Sequence, residues 1–312
     1  MLKKNIIMSG QNVVSNSIEK TGGPMNNRFF LTMIIFMVMF VGFSMRMPAQ
    51  IAWESDWAKG MKDAAAKQHP VLLDFYTDWC PHCKHLDATT FKEPKLVNYF
   101  KTEKYVLIKI NPEKDKGAES KFKVFSYPTL IVYNGKGEEV DRILGYLSGE
   151  ELLKALDDLK KGIGTLDDLL KKQKKIADQQ SKENFELLSM IINKYIARAD
   201  YTEALALVAR IVELDKDNAM NKASKAIFQK GYIYYKWKKY KEAVEALLAI
   251  RTLYPKSEEA PMGYLTAGYY CEKIGDKPGA LKIYKEFLVY FPDYSEAGKI
   301  ADKIKGLEPK TK

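Results

Sequence analysis

The chain has 312 residues, 46% of them hydrophobic, so it is long enough to form about two folded domains. Its 50 Lys and Arg residues exceed its 40 Asp and Glu residues, but the two kinds of charge alternate along helical segments. Such alternation is typical of solvated helix faces and argues against a nucleic-acid-binding protein. An acidic client protein or an anionic membrane surface stays compatible with the net charge of +10.

The N-terminal end carries an apolar run at residues 29–45, seventeen residues without a charge, preceded by Arg28. A basic flank and a short apolar segment are typical of a signal peptide, and the run is slightly short for a membrane-spanning helix. The pattern of small residues at the cleavage site is poor, so an uncleaved membrane anchor is the alternative. Both interpretations assign residues 1–50 to an export signal or anchor and place the rest of the chain in the periplasm or cell envelope. The sequence before the run also suggests that translation begins at Met25.

Strand and helix patterns alternate between residues 51 and 161. The predicted elements are a helix at 53–68, a strand at 71–76, an interrupted helix at 84–100, a strand at 105–110, a short helix at 114–123, strands at 129–133 and 139–144 joined by a turn, and a helix from 148 to about 162. Ser148 and Glu151 form a capping box at the start of the last helix. Alternating strands and helices followed by a hairpin predict an α/β fold with a mixed central sheet and helices on both faces.

Cys80 and Cys83 stand between the strand at 71–76 and the helix that follows it. One helical turn brings two cysteines at this spacing together, so a disulfide can close with little backbone movement. The helix N-terminus favours a thiolate at Cys80, and Pro81 fits the first turn, where its missing N–H would have had no partner. His82, when protonated, adds to that stabilisation. The pattern predicts a redox site.

A zinc site and a purely structural disulfide are the alternatives for this cysteine pair. Tetrahedral zinc needs four ligands, and the chain offers Cys271, His69 and His85 without a second pair at metal spacing. Structural disulfides usually close longer loops. Both alternatives are therefore less favoured than redox chemistry, and no metal site is predicted.

Residues 51–161 resemble a thioredoxin-fold domain at several positions. Asp74 stands where thioredoxins keep a buried carboxylate, Lys109 stands where a lysine pairs with it, and Pro128 matches the cis-proline that faces the disulfide. Within that superfamily, the segments 78–84 and 90–94 most resemble the C-terminal domain of the membrane thiol:disulfide interchange reductases. The Pro-His pair between the cysteines instead resembles that of the periplasmic disulfide oxidases, so the direction of electron flow stays open.

The resemblance implies a thiol–disulfide oxidoreductase that needs no cofactor besides its own redox-active disulfide. Cys80 is expected to be the exposed nucleophile and Cys83 the resolving thiol. Asp74 is expected to have a raised pKa and to accept the Cys83 proton, with Lys109 favouring its charged form. The expected substrate-binding residues are Trp79, Pro81, His82, Tyr127, Pro128 and Thr129. Cysteine-containing protein substrates and an upstream thiol redox partner are the expected partners.

A helical linker at residues 162–180 is followed by an internal repeat. Gly231, Ala243 and Pro255 recur at the same spacing as Gly268, Ala280 and Pro292. This pattern resembles the tetratricopeptide repeat, so residues 181–312 are predicted to form an all-α solenoid of about three repeats and a capping helix. The side chains expected to line its concave groove, as a site for a peptide or protein partner, are Phe228, Tyr232, Tyr235, Leu265 and Tyr269. Cys271 is predicted to be a buried, inert thiol.

Two functions from different classes follow. The first is an exported thiol–disulfide oxidoreductase with a docking domain. The second is an interaction scaffold of the cell envelope whose redox role is minor. The presence of Cys80, Cys83, Asp74 and Pro128 together favours the enzyme, because a scaffold would not need all four.

Overall fold

A computed structural model describes residues 51–308 of the chain. The predicted export signal or anchor at residues 1–50, with its apolar run at 29–45 and the proposed start at Met25, lies outside the described residues, as do residues 309–312. Within 51–308, no helix combines the length and the hydropathy that crossing a membrane requires.

The first part of the described chain folds into a four-stranded mixed sheet flanked by helices. Its elements are α1 (Trp57–Lys67), β1 (Val71–Phe75), α2 (Pro81–Ala88), a 3-10 turn (Thr90–Lys92), α3 (Pro94–Thr102), β2 (Val106–Ile110), α4 (Ala118–Phe122), β3 (Thr129–Tyr133), β4 (Glu139–Leu144) and α5 (Gly149–Lys160). The strand order is β2-β1-β3-β4, with β1 parallel to β2 and antiparallel to β3, and β3 antiparallel to β4. The predicted α/β class is confirmed.

The sequence pattern predicts that the first helix begins at residue 53, but helix α1 begins at Trp57. Asp56 caps the helix through its side chain, which accepts a hydrogen bond from a backbone amide of the first turn. The residues before the cap pair with β2 instead, since the Glu54 amide donates to the Leu107 carbonyl at 2.9 Å. A backbone already bonded to a strand is not available for a helix.

Helix α4 is also shorter than predicted, because it begins at Ala118 and not at residue 114. Gly117 stands immediately before it with a φ of 103°, in the left-handed region. A right-handed helix cannot pass through this residue, so α4 cannot begin before it. The predicted interruption before Pro94 is confirmed, since the 3-10 turn separates α2 from α3 there.

Alternation along the strands decides which residues face α2. Leu72 packs against Leu86 of α2, whereas the side chains on either side of Leu72 face α1 and α4. Because strand side chains alternate with a period of two, Asp74 points to the same side as Leu72. Lys109 follows Leu107 in the same way on β2, and Leu107 also packs in the core on the α2 side. The sheet therefore brings a carboxylate and an ammonium beneath the helix that carries the cysteines.

The rest of the described chain is helical. Its elements are α6 (Leu166–Gln173), α7 (Lys182–Ala197), α8 (Tyr201–Leu214), α9 (Ala223–Lys236), α10 (Tyr240–Leu253), α11 (Glu259–Lys273), α12 (Lys277–Tyr290) and α13 (Ala297–Leu307). A Cβ added at Gly231 would collide with Leu247, and one at Gly268 would collide with Tyr284. The two glycines therefore allow equivalent close crossings of α9 with α10 and of α11 with α12. The predicted all-helical region is confirmed, and its assignment to tetratricopeptide repeats stays a prediction.

Helix α6 connects the two parts and packs through its apolar side. Leu169 is buried against Leu187 and Ile191 of α7. Thr165 caps α6, with its side chain accepting a hydrogen bond from the Asp168 amide at 3.2 Å. The predicted linker thus contains one helix, residues 166–173, which packs against α7.

Candidate active site

Cys80 and Cys83 form a disulfide at the N-terminal end of α2, with their Cα atoms 5.3 Å apart. Cys80 is the N-cap residue, and its Sγ accepts a hydrogen bond from the Cys83 amide at 3.1 Å. Pro81 occupies the first helical position. The expectation of an exposed Cys80 is wrong for this disulfide-bonded form, since the two cysteines are only 2% and 3% exposed.

Asp74 is buried on the α2 side of β1, and one of its oxygens lies 3.5 Å from the Lys109 ammonium. Its other oxygen, Oδ1, makes no hydrogen bond within residues 51–308. Burial raises the pKa of Asp74 to about 7, and the attraction of Lys109 opposes this rise without cancelling it. A carboxyl with this pKa can take up and return a proton near neutrality.

Asp87 joins this charged group, although the sequence interpretation did not single it out. It lies on α2 four residues after Cys83, so the two side chains share one face of the helix. Asp87 accepts a hydrogen bond from Lys109, and its negative charge further raises the pKa of Asp74. The ammonium of Lys109 also faces three rings, at 5.2, 4.8 and 5.8 Å from the centroids of Trp53, Tyr76 and Phe91. The spacing of four from Cys83 was the signal that could have identified Asp87.

The loop before β3 contains a cis peptide bond between Tyr127 and Pro128. The Pro128 carbonyl accepts a hydrogen bond from the Gly145 amide at 2.9 Å, and Thr129 Oγ1 donates to the Ser126 carbonyl at 2.8 Å. The Pro128 carbonyl is therefore already engaged and is not available to a substrate chain. The free backbone edge is at Tyr127, whose N–H and C=O have no hydrogen bond to any described residue.

Trp79 and Tyr127 connect the cysteine loop to the cis-proline loop. Trp79 is 64% exposed, and its ring meets the Tyr127 ring edge-on with centroids 6.1 Å apart. The indole Nε1 donates to Glu113 at 2.9 Å, and the Tyr127 hydroxyl donates to Glu119. Since Trp79 precedes Cys80 and Tyr127 precedes Pro128, their contact joins the loop that carries Cys80 to the loop that carries Pro128. Pro81 and His82 lie exposed on the adjoining surface.

The helical region presents two of its five predicted groove residues to solvent. Tyr232 is 39% exposed and Tyr269 is 45% exposed. The other three, packed against the core of the helical region, are Phe228, Tyr235 and Leu265. These three therefore contribute mainly to packing, and the groove stays a prediction that depends on the two exposed tyrosines.

Cys271 is a free, buried cysteine on α11. Burial raises the pKa of its thiol, so the reactive thiolate is disfavoured. In the part of the chain from 51 to 308, no group of three or more His, Cys, Asp and Glu side chains is arranged to hold a metal ion.

The fold and the site define a thioredoxin-like domain, and comparison with known families agrees. Residues 57–160 match the family described as Thioredoxin-like domain. This match ends close to the end of α5, so it covers the sheet, the cysteine pair and the cis-proline loop but none of the helical hairpins.

Among curated relatives, the thiol:disulfide interchange protein DsbD of Campylobacter jejuni is 35% identical over 92 residues, covering 28% of this chain and 16% of that protein. A protein disulfide-isomerase of Triticum aestivum is 32% identical over 109 residues, covering 34% of this chain and 20% of that protein. A solved structure, the C-terminal domain of Neisseria meningitidis DsbD in the oxidised form, is 22% identical and covers 34% of this chain and 98% of that chain, with a TM-score of 0.29. The chain thus spans at most a fifth of the length of these curated relatives and shares homology with them in the thioredoxin-like domain.

Proposed function

We propose that this protein is an exported thiol–disulfide oxidoreductase that exchanges disulfides with protein substrates through Cys80 and Cys83. The observation that carries the proposal is the buried Asp74, whose pKa is raised to about 7 on the side of the sheet facing the cysteine helix. A structural disulfide needs no proton acceptor behind it, whereas thiol exchange needs one near neutral pH. The homology of residues 57–160 to thiol:disulfide interchange proteins and a protein disulfide-isomerase supports the same chemistry.

The first step starts from the reduced pair. The Cys80 thiolate attacks one sulfur of a substrate disulfide, a new S–S bond forms between Cys80 and the substrate, and the second substrate sulfur leaves as a thiolate. The N-terminus of α2 favours the thiolate at Cys80, which is the cap residue. The free backbone edge at Tyr127 can pair with the substrate chain as an added strand.

The second step releases the substrate. The Cys83 thiol gives its proton to Asp74, and the resulting thiolate attacks Cys80 Sγ. The bond to the substrate breaks, the substrate leaves as a dithiol after protonation, and the Cys80–Cys83 disulfide remains. Two electrons have passed to the substrate, and an upstream dithiol partner returns them. The reverse sequence oxidises a dithiol client, so the potential of the cysteine pair relative to its partners sets the direction.

Location and docking complete the proposal. The apolar run at residues 29–45 supports export to the periplasm or cell envelope, with either signal cleavage or an N-terminal anchor. The recurring glycine crossings of the hairpins support tetratricopeptide-like repeats that bind a partner protein.

The test uses the full chain with insulin as the disulfide substrate. We expect Cys80→Ser to abolish exchange and Cys83→Ser to accumulate a covalent mixed disulfide, because the resolving thiol is missing. Cys271→Ala is the matched control and should keep normal activity, since its thiol is buried. Trapping by Cys80→Ser would reverse the two roles. A wild-type chain without any exchange would contradict the proposal and favour the scaffold.

A further inference from the structure

The helical region is fixed to the edge of the sheet through a buried carboxylate. Asp141 on β4 is fully buried, and its oxygens lie 2.6 Å from the Lys194 ammonium and 2.9 Å from the Arg198 guanidinium. Lys194 lies on α7 and Arg198 directly follows that helix. Arg142, next along β4, donates to the Ala197 carbonyl at 3.2 Å. A buried ion pair of this kind demands one geometry, so the hairpins hold a defined position beside the redox domain.

In this arrangement the cis-proline loop lies next to helix α8. Phe125 from the loop lies 6.4 Å from Tyr201, the first residue of α8, measured between ring centroids. The two parts meet along a narrow seam with a cavity of only about 20 Å³, which is lined on one side by Phe125, Ser126 and Leu144 and on the other by Tyr201, Tyr232 and Lys236. This seam therefore lies next to Tyr127, the free backbone edge of the candidate active site.

Tyr232 and Lys236, at this seam, belong to a pair of side chains that recurs on the first helices of two hairpins. The Lys236 ammonium lies 5.4 Å from the Tyr232 ring, and the Lys273 ammonium lies 5.2 Å from the Tyr269 ring. The second pair follows the first by 37 residues, the interval that also separates Gly231 from Gly268. Within the described chain, neither lysine has a carboxylate within ion-pair distance, so both ammonium groups are available to a ligand, whereas Lys241 of the neighbouring helix pairs with Glu245.

We propose that this surface, defined by Phe125, Tyr232, Lys236, Tyr269 and Lys273, binds an acidic segment of the client protein next to its reactive cysteine. The inference rests on the proposed function and adds a substrate class to it. Two unpaired ammonium groups complement carboxylates, and the tyrosines and Phe125 accept aromatic or aliphatic side chains. The surface is continuous with the cis-proline loop, so one client chain can occupy both.

The experiment compares two synthetic peptides of equal length, each with one cysteine in a disulfide with thionitrobenzoate. One carries glutamates and a phenylalanine around the cysteine, and the other carries lysines in place of the glutamates. The measured quantity is the second-order rate constant of exchange with the reduced full chain. We expect the acidic peptide to react about tenfold faster at low salt, and the preference to shrink as salt is added.

A double variant that carries both Lys236→Glu and Lys273→Glu should lose or reverse this preference for the acidic peptide. The charge-matched control is Lys241→Glu with Lys277→Glu, two exposed lysines at the starts of α10 and α12, and it should keep the preference. Loss of the preference in both pairs would show that net charge alone steers the peptide and would overturn the inference.

The symmetric disulfide of thionitrobenzoate, which carries no peptide, distinguishes a failure of the inference from a failure of the proposed function. We expect both double variants, Lys236→Glu with Lys273→Glu and Lys241→Glu with Lys277→Glu, to reduce it at the wild-type rate. A wild-type chain that reduces it but treats both peptides alike overturns the inference alone. A wild-type chain that does not reduce it overturns the proposed function and the inference together.

Discussion

The Lys109 ammonium lies 3.5 Å from the Asp74 carboxylate, yet the pKa of Asp74 is raised to about 7. Burial is the largest cause of this rise and outweighs the attraction of Lys109, and the negative charge of Asp87, which also binds Lys109, raises the pKa of Asp74 further. The group therefore keeps a proton on Asp74 in slightly acidic solution and loses it in slightly basic solution, which suits a residue that exchanges protons with a thiol.

Replacing Asp74 with Asn should stabilise the protein at high pH. The folded chain binds more protons than the unfolded chain between about pH 4 and about pH 7, so the wild type loses stability as pH rises through that window. A shift of this size corresponds to roughly 4 kcal/mol. We expect Asp74→Asn to be more stable by about 3 kcal/mol at pH 8 and by little at pH 4.

Urea unfolding of the wild type and of Asp74→Asn at several pH values measures this difference. Asp63→Asn, an exposed carboxylate of α1, is the control and should show no such pH dependence. A difference in stability that grows as the pH falls would mean that the pKa of Asp74 is lowered and not raised.

Replacing Asp87 with Asn should lower the pKa of Asp74. The substitution removes a repelling charge and leaves Lys109 free to pair with Asp74 alone. We expect the midpoint of the Asp74 titration to fall by up to about one pH unit. Carboxyl ¹³C resonances followed against pH report this midpoint directly, with Asp63→Asn again as control. An unchanged or higher midpoint would show that Asp87 does not influence Asp74.

Replacing His82 with Ala should make the reduction potential of the cysteine pair more negative. His82 is exposed at the second position of α2, where a positive charge on its ring would favour the thiolate of the reduced form. We expect a change of about 30 mV, equivalent to roughly 1.4 kcal/mol for a two-electron couple. Equilibration with glutathione buffers measures it.

His85→Ala is the matched control for this potential. His85 lies one turn further along α2, and its ring packs against Tyr146 with centroids 4.5 Å apart. The control should leave the potential unchanged. If the potential of His82→Ala stays the same or becomes less negative, His82 does not stabilise the Cys80 thiolate.

Replacing Asp141 with Leu should loosen the junction between the sheet and the hairpins. The change leaves Lys194 and Arg198 without their buried partner, at a cost of roughly 3 kcal/mol. We expect a lower urea midpoint and faster proteolysis between α5 and α6. Asp200→Asn, which breaks the more exposed pair with Lys123, should cost less than about 1 kcal/mol. Equal costs for the two variants would contradict the structural role given to Asp141.

Local patterns in the sequence were sufficient for most of the elements and for the cysteine pair. The capping box at Ser148 and Glu151 depends on residues three apart, and the structure shows both of its hydrogen bonds. The Cys80–Cys83 spacing likewise depends on one helical turn. The apolar run of β1 was enough to expect a buried Asp74, because a residue in the middle of a strand that is buried on both faces has no route to solvent.

Tertiary packing decided the features that join distant segments. Lys109 contacts Asp87 across 22 residues, and Asp141 contacts Arg198 across 57, and no local pattern encodes such pairings. The burial of Cys80 and the engagement of the Pro128 carbonyl by Gly145 likewise depend on how neighbouring loops pack. Side-chain charge and apolar periodicity specify which faces are buried, but the partner of each buried charge depends on which elements the whole chain brings into contact.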